Sequence, residues 1–172
     1  MSSMIMSIFG RSNVPIITQE HNLIHGGRLF SAQISSAALA AAGTLLMEMI
    51  VPAGIEIHVK PVAFYNSLAG RFELLEAPTI TDGNSAIPIL NKKRNAVIAS
   101  NVILWSNPSA ISAGTVLDDL YFTTLFGSNV AVNAVDQEWI LKPSTKYLFR
   151  LTNNGGVAST AFVKLNWYEV KL

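Results

Sequence analysis

Apolar and polar residues alternate along much of this chain, and this period of two is the feature that most limits its fold. In residues 54–62, the apolar side chains that share one face are Ile55, Ile57 and Val59. The same alternation recurs in residues 71–75, 146–152 and 161–169. A strand with one buried face and one open face produces this pattern. The sequence therefore predicts a domain built from antiparallel strands.

Turn residues separate the alternating segments. Residues 67–70 and 113–114 each end in glycine, and glycine, asparagine and aspartate cluster at residues 81–84 and 153–156; these residue types suit tight turns and positive φ. The last cluster lies between two alternating segments and predicts a hairpin. Several short strands with turns between them favour an antiparallel sandwich. A chain of 172 residues with about eight strands suits a jelly roll.

The segment 33–50 is compatible with two structures. Its run of alanines favours a helix, but Gly43 and Thr44 interrupt that run, and residues 45–51 fit a buried strand. We predict a strand over residues 45–51 and leave the alanine run unassigned.

Residues 75–83 and 105–114 resemble each other weakly. Each contains a proline-led loop, beginning at Pro78 or Pro108, that is followed by a glycine, Gly83 or Gly114. The similarity indicates either an ancient duplication or two equivalent loops at one end of a sandwich. With only two copies, it does not indicate a solenoid.

The low charge of the chain limits the partners it can have. Only 13% of its residues are charged and 50% are hydrophobic, whereas about 25% are charged in typical soluble domains. The longest apolar stretch, residues 37–51, is too short to span a membrane as a helix. We therefore expect no membrane partner, and a surface that other protein chains cover in an oligomer or a larger assembly.

Neither nucleic acid nor a disulfide framework is expected. The formal net charge is +1, and the basic residues 92–94 have no aromatic residues interleaved with them, so we interpret them as a solvated turn. The chain has no cysteine, which removes disulfides, thiolate nucleophiles and thiolate zinc sites. That composition is compatible with synthesis in a reducing cytoplasm.

The residues that most often perform chemistry lack a supporting pattern. His21, His25 and His58 have no acidic residue at a metal-ligand spacing, so we interpret them as structural or surface residues. The carboxylate pairs Asp118–Asp119 and Asp136–Glu138 lie in no recognisable motif, and no serine sits in a nucleophile elbow. We expect no enzyme, no metal and no cofactor.

Three tryptophans leave a choice between sugar binding and packing. Trp105, Trp139 and Trp167 each lie in or beside a predicted strand. They could form a platform on which sugars stack, but core or interface packing is the interpretation we favour.

The first 18 residues differ from the rest. They are apolar without the basic start of a signal peptide, and we predict an extended N-terminal arm over residues 1–18 followed by one sandwich domain over residues 19–172. The arm residues that we expect to contact a larger assembly or a neighbouring subunit are Met4, Ile5, Met6, Ile8 and Phe9.

Several blocks along the chain are similar to those of a known family. They are residues 21–27 with Phe30, residues 76–79 with 82–83, residues 91–95, residues 138–143 with 145–148 and 150–153, and residues 167–169. Together they resemble tailed-bacteriophage capsid cement, or decoration, proteins over about residues 19–169.

The resemblance implies a fold, a location and partners. The fold is an all-β antiparallel jelly-roll β-sandwich, and the location is the outer surface of the phage head. The implied partners are the major capsid protein, whose neighbouring copies the protein cements, and the protein itself, as a homodimer or homotrimer. No catalytic residues are implied. The alternative is a receptor- or glycan-binding β-sandwich module of a phage tail fibre or spike.

Overall fold

The structure, a computed structural model, describes residues 19–60, 62–123 and 138–172. One short helix, α1 (Gln19–His25), precedes the strands. The strands are β1 (Leu29–Leu39), β2 (Thr44–Ile50), β3 (Ile55–Val59), β4 (Ala63–Asn66), β5 (Gly70–Glu76), β6 (Thr79–Thr81), β7 (Ser85–Ala86), β8 (Leu90–Asn91), β9 (Ile103–Ser106), β10 (Ser109–Ser112), β11 (Thr115–Phe122), β12 (Trp139–Leu141), β13 (Lys146–Asn153) and β14 (Ser159–Lys171).

Two six-stranded antiparallel sheets form a sandwich. Sheet A has the order β12-β3-β14-β1-β8, with β4 also paired to β14, and sheet B has the order β11-β5-β13-β2-β9-β7. This confirms the predicted all-β antiparallel sandwich. Strands β1, β2 and β3 lie in alternate sheets, as do β12, β13 and β14. That alternation is compatible with Greek-key connections, while the jelly-roll detail stays a prediction.

The core lies between the two sheets, where the predicted alternation places it. In β13, Tyr147, Phe149 and Leu151 are fully buried. From the other strands, Phe64 stacks on Phe72 with ring centroids 4.5 Å apart. Burial of such side chains contributes about 1.5–3 kcal/mol each, so these inward faces supply most of the driving force for folding.

The alanine run of segment 33–50 is not a helix. Ala37 and Ala38 lie at the end of β1, which pairs with β14 from Leu29 opposite Tyr168 to Leu39 opposite Ser159, and residues 40–43 form the turn that leads to β2. The ladder with β14 and the turn at Gly43 override the helical preference of alanine, as tertiary structure often does. The strand predicted for residues 45–51 is confirmed as β2.

The hairpin predicted at residues 153–156 is wrong. The turn does connect β13 to β14, but β13 lies in sheet B and β14 in sheet A. The apolar faces of the two strands oppose each other across the core instead of lying side by side. The buried Asn153 holds this crossing, because its Nδ2 donates to the carbonyl oxygens of Leu39, Ala40 and Val157.

The two similar segments, residues 75–83 and 105–114, pair with each other. Their strands β6 and β10 form a separate two-stranded antiparallel sheet. In both segments the residue before the proline has a positive φ, 50° at Ala77 and 56° at Asn107. The equivalent loops therefore share a backbone conformation as well as a sequence pattern.

The glycines of these segments make reciprocal contacts. A Cβ on Gly83 would lie 2.1 Å from the carbonyl oxygen of Ser106, and a Cβ on Gly114 would lie 3.1 Å from the Cα of Pro78. Each glycine therefore allows its own loop to approach the other closely. The Gly83 amide also donates to Glu48 on the outer face of sheet B, which attaches the paired loops to the sandwich.

Candidate interaction site

The predicted contact residues of the arm, Met4, Ile5, Met6, Ile8 and Phe9, lie outside the described residues. Their proposed contacts therefore stay a prediction. The candidate site below is built from the sandwich itself.

The histidines do not converge. His21 and His25 lie on α1 with ring centroids 4.4 Å apart, whereas His58 lies on β3 in sheet A. In the described part of the chain, no group of three histidine or acidic side chains is placed to hold a metal ion. The spacing of four between His21 and His25 brings their rings together on one side of this helix.

The carboxylate pairs also fail to form a shared cleft. Asp118 and Asp119 are successive residues of β11 and so point to opposite faces of the strand. Asp119 forms a two-pronged ion pair with Arg71, at 2.8 and 2.9 Å. Glu138 is bound to groups on sheet A, and Asp136 lies outside the described residues.

The three tryptophans do not form one platform. Strand β3 lies between β12 and β14, and its residue Val59 lies opposite both Trp139 of β12 and Trp167 of β14. Both tryptophans are on the inward face of sheet A. Trp167 is fully buried, and Trp139 packs against the core. Trp105 lies on β9 of sheet B, where residue Gly83 packs close to its Cβ.

The segment that links the two sheets at one end of the sandwich carries the first part of the site. We name residues 92–102, between β8 of sheet A and β9 of sheet B, the strap. At its start, the Asn91 Nδ2 donates to the carbonyl oxygens of Gly27 and Ile98, at 2.8 and 3.0 Å. At its end, the Glu169 carboxylate accepts hydrogen bonds from Ser100 and Asn101. Both ends of the strap are therefore fixed to sheet A.

The basic residues of the strap are held against α1. The Lys92 Nζ lies 3.6 Å from the Glu20 Oε1, and the Lys93 Nζ donates to the carbonyl oxygen of His25 at 2.9 Å. The turn predicted at residues 92–94 is present. Lys93 therefore satisfies the C-terminal end of α1, a favourable location for positive charge, whereas Lys92 pairs with Glu20 in the first turn of that helix.

Three of the sequence blocks described above meet at the strap. Gly27 belongs to the first block, Asn91 to the third and Glu169 to the last, and hydrogen bonds join them through the strap. A similar bond joins two further blocks, because the Tyr147 hydroxyl donates to Glu76 at 2.9 Å. These blocks therefore hold the framework together.

A groove of about 650 Å³ opens beside the strap. Its apolar lining comes from Phe30 at the start of β1, Ile98 in the strap and Val170 near the end of β14. Its polar lining includes Arg28 and Lys171. Because these residues are far apart in the sequence, no local motif could have identified the groove.

A polar cluster occupies the outer face of sheet A. The Glu138 carboxylate accepts from the Tyr168 hydroxyl at 2.7 Å and from the Lys60 Nζ at 3.0 Å, and it lies 2.8 Å from the His58 Nδ1. Burial alone would raise the pKa of Glu138, but the hydrogen bonds from Tyr168, Lys60 and His58 outweigh it and lower that pKa. His58 also stacks on Tyr168, with ring centroids 4.5 Å apart.

A second acidic group is buried on the outer face of sheet B. Glu48 is fully buried, and its Oε2 accepts from the Gly83 amide at 3.1 Å. Its Oε1 lies 3.4 Å from the Lys146 Nζ, and Lys146 also binds Asp82. Burial raises the pKa of Glu48 in spite of these partners. The arrangement fixes the loop that contains Asp82 and Gly83 against the outer face of sheet B.

Large apolar side chains are exposed around the sandwich. Ile140 and Leu90 lie on the edge strands β12 and β8 of sheet A, and Val116 and Tyr121 lie on the edge strand β11 of sheet B. The remaining exposed large apolar residues of the described chain are Val97, Ile98, Ile103, Val157, Val170 and Leu172. Edge strands present unpaired backbone groups to other chains, so apolar residues there suit protein contacts.

Comparison with models of protein families, with curated proteins and with solved structures found no match for this chain. No helix within the described residues has both the length and the apolar composition that a membrane-spanning helix requires.

Proposed function

We propose that this chain is a structural virion protein that binds the outer surface of a phage head and cements neighbouring major capsid proteins. The observation that carries the proposal is the exposure of apolar side chains on the edge strands of both sheets, in a chain of which only 13% is charged. The resemblance to cement proteins suggests that the partner of this surface is the major capsid protein.

The physical demands on a cement fit such a surface. A capsid contains many copies of the same interface between neighbouring subunits, and each interface needs only a modest stabilising free energy. Burial of apolar area contributes about 25 cal/mol per Å², and self-association as a dimer or trimer multiplies each contact through effective concentration. Edge strands with apolar side chains supply both kinds of contact without any chemical step.

The framework also suits a passive, load-bearing role. Its charged groups mainly hold the chain to itself: Arg150 forms a two-pronged ion pair with the buried Glu73, at 2.6 and 2.7 Å. Lys142 and Tyr147 both bind Glu76. Cross-strand pairs of this kind stabilise a sheet.

The test is to delete residues 1–10, which include the predicted arm contacts, and to measure occupancy on purified heads. We expect occupancy to fall, because the arm would lie along a neighbouring subunit. A matched control replaces the polar arm residues Ser2, Ser3 and Ser7 with alanine and should bind as the full chain does. Unchanged occupancy after the deletion would remove the arm from the proposal.

The alternative function separates from this one by copy number and target. A receptor- or glycan-binding module of a fibre or spike would be present in few copies and would bind cells or sugars. If the full chain binds glycans and shows no affinity for heads, the cement proposal is wrong.

A further inference from the structure

We infer that the groove beside the strap binds an extended, acidic segment of a partner protein as an added strand. The inference deepens the proposed function, on which the identity of that partner as a capsid protein rests. It is carried by three features of the groove: an incompletely paired strand edge, two cations without an ion-pair partner among the described residues, and an apolar lining.

The strand edge belongs to β14. Strand β14 pairs with β3 as far as Lys171, which lies opposite Ile55. On its other side, β14 pairs with β1 only as far as Tyr168, which lies opposite Leu29. Residues 169–171 therefore have a strand neighbour on only one side within the described structure. A short exposed edge of this kind accepts an extended peptide by strand addition.

The charge of the groove selects an acidic occupant. Arg28 and Lys171 line it, and neither forms an ion pair with another described residue. Glu169, the acidic residue of the lining, is already engaged by Ser100 and Asn101. Two cations therefore remain available at the groove, and a carboxylate beside them would form charge-assisted hydrogen bonds.

The apolar lining selects an alternating sequence. Ile98 and Val170 are 47% and 37% exposed, so an occupant would cover apolar area that is now open to water. A strand places successive side chains on opposite faces. An apolar side chain could then contact Ile98 and Val170 while the next, acidic side chain reaches Arg28 or Lys171.

The N-terminal arm of this chain is a poorer occupant. Residues 1–18 contain no aspartate or glutamate, and they carry the cation Arg11. An arm from the same or a second copy would leave Arg28 and Lys171 without a counter-charge. We therefore assign the groove to an acidic segment of a different protein.

The experiment measures binding of a fluorescent peptide of alternating valine and glutamate to the full chain by fluorescence anisotropy. A peptide of alternating valine and lysine is the control ligand. We expect the glutamate peptide to bind at least about tenfold more tightly than the lysine peptide, because the charge complements the groove. Amide shifts in nuclear magnetic resonance spectra should localise binding to residues 98–101 and 169–171.

Matched variants test the site. The double change Arg28→Glu with Lys171→Glu should weaken binding of the glutamate peptide at least about tenfold. Lys164→Glu is the control, because Lys164 lies on the same strand about 20 Å away and also forms no ion pair with a described residue. That variant should change the affinity by less than about twofold.

Three results would overturn the inference: equal binding of both peptides, equal loss in the double variant and in Lys164→Glu, or peptide binding only after residues 1–10 are deleted. The last result would assign the groove to the arm. Peptide binding by a protein that does not attach to heads would support the groove and overturn the cement function, so the two failures are distinguishable.

Discussion

The Glu169 carboxylate holds both the backbone and the side chain of Asn101. Its Oε1 accepts from the backbone nitrogen at 3.0 Å, and its Oε2 accepts from the Nδ2 at 2.6 Å. The Ser100 hydroxyl donates to the same carboxylate at 2.5 Å. One side chain of sheet A thus fixes the end of the strap just before the chain enters sheet B.

Glu169→Ala should release this end of the strap. We expect the free energy of unfolding to fall by about 1–3 kcal/mol, because the hydrogen-bond donors of Ser100 and Asn101 lose a charged acceptor. Urea denaturation measures the loss, and amide exchange should accelerate over residues 98–102. Glu56→Ala is the control, since the Glu56 side chain has no hydrogen bond or ion pair with a described residue. Unchanged exchange in the strap would contradict the role given to Glu169.

Gly83→Ala should be strongly destabilising. The new Cβ would lie 2.1 Å from the Ser106 carbonyl oxygen and 2.7 Å from the Trp105 Cβ. Forced overpacking of this kind typically costs about 1–3 kcal/mol or more. Gly156→Ala is the control, because a Cβ there meets no atom within 4 Å, and we expect a change within about 1 kcal/mol. Equal stability of the two variants in urea would show that the paired loops do not pack as described.

Glu48→Gln should change how stability depends on pH. Burial raises the pKa of Glu48 above its ordinary value of 4.5, so the folded protein holds this proton more tightly than the unfolded chain does. The contribution of Glu48 to stability is therefore fully present below pH 4.5 and is lost as the pH rises through the raised pKa. The glutamine side chain does not titrate, so the variant does not lose this stability as the pH rises.

The measurement for Glu48 is the free energy of unfolding as a function of pH. We expect the stability of the glutamine variant relative to the natural chain to increase from acidic to neutral pH. Glu56→Gln serves as the control, and its stability relative to the natural chain should depend less on pH. A relative stability that decreases over the same range would mean that the Lys146 ion pair dominates the environment of Glu48.

Asp118→Val should increase self-association through β11. This edge strand contains an irregularity between Val116 and Asp118, and Asp118 lies opposite the buried Leu74. Burial raises the pKa of Asp118, as expected for a charge that points inward. Inward charges and bulges protect edge strands against pairing with other chains. Replacing the charge with a strand-forming apolar residue should therefore promote dimers that join through β11.

Sedimentation at several protein concentrations checks the Asp118 prediction. We expect the association constant to rise at least about tenfold, while Thr115→Val, an exposed change on the same strand, should leave it within about twofold. Equal association of both variants would show that Asp118 does not protect this edge.

Most of the strand faces were predictable from the sequence, because alternation is a local property. Tyr147, Phe149 and Leu151 point inward, as the pattern required. Leu148 lies on the opposite face of β13, yet it is fully buried. Contacts on the outer face of sheet B, such as that of the Gly83 amide with Glu48, are long-range, so alternation alone does not predict burial there.

The connection of the strands and the groove were not predictable. A turn of residues 153–156 has the same composition whether it forms a hairpin or crosses between sheets, and only the partners of Asn153 decide the outcome. The groove joins residues near 28, 98 and 170, which become neighbours only after both sheets have formed. Its cations, Arg28 and Lys171, belong to no local sequence motif.

The most direct test of the proposed cement function is a reconstruction of the intact virions in which the proposal places this chain. We predict density for the two-sheet sandwich on the outside of the head, in many symmetry-related copies, each bridging neighbouring major capsid proteins. Heads that lack this density, or density confined to a few copies at the tail, would contradict the account.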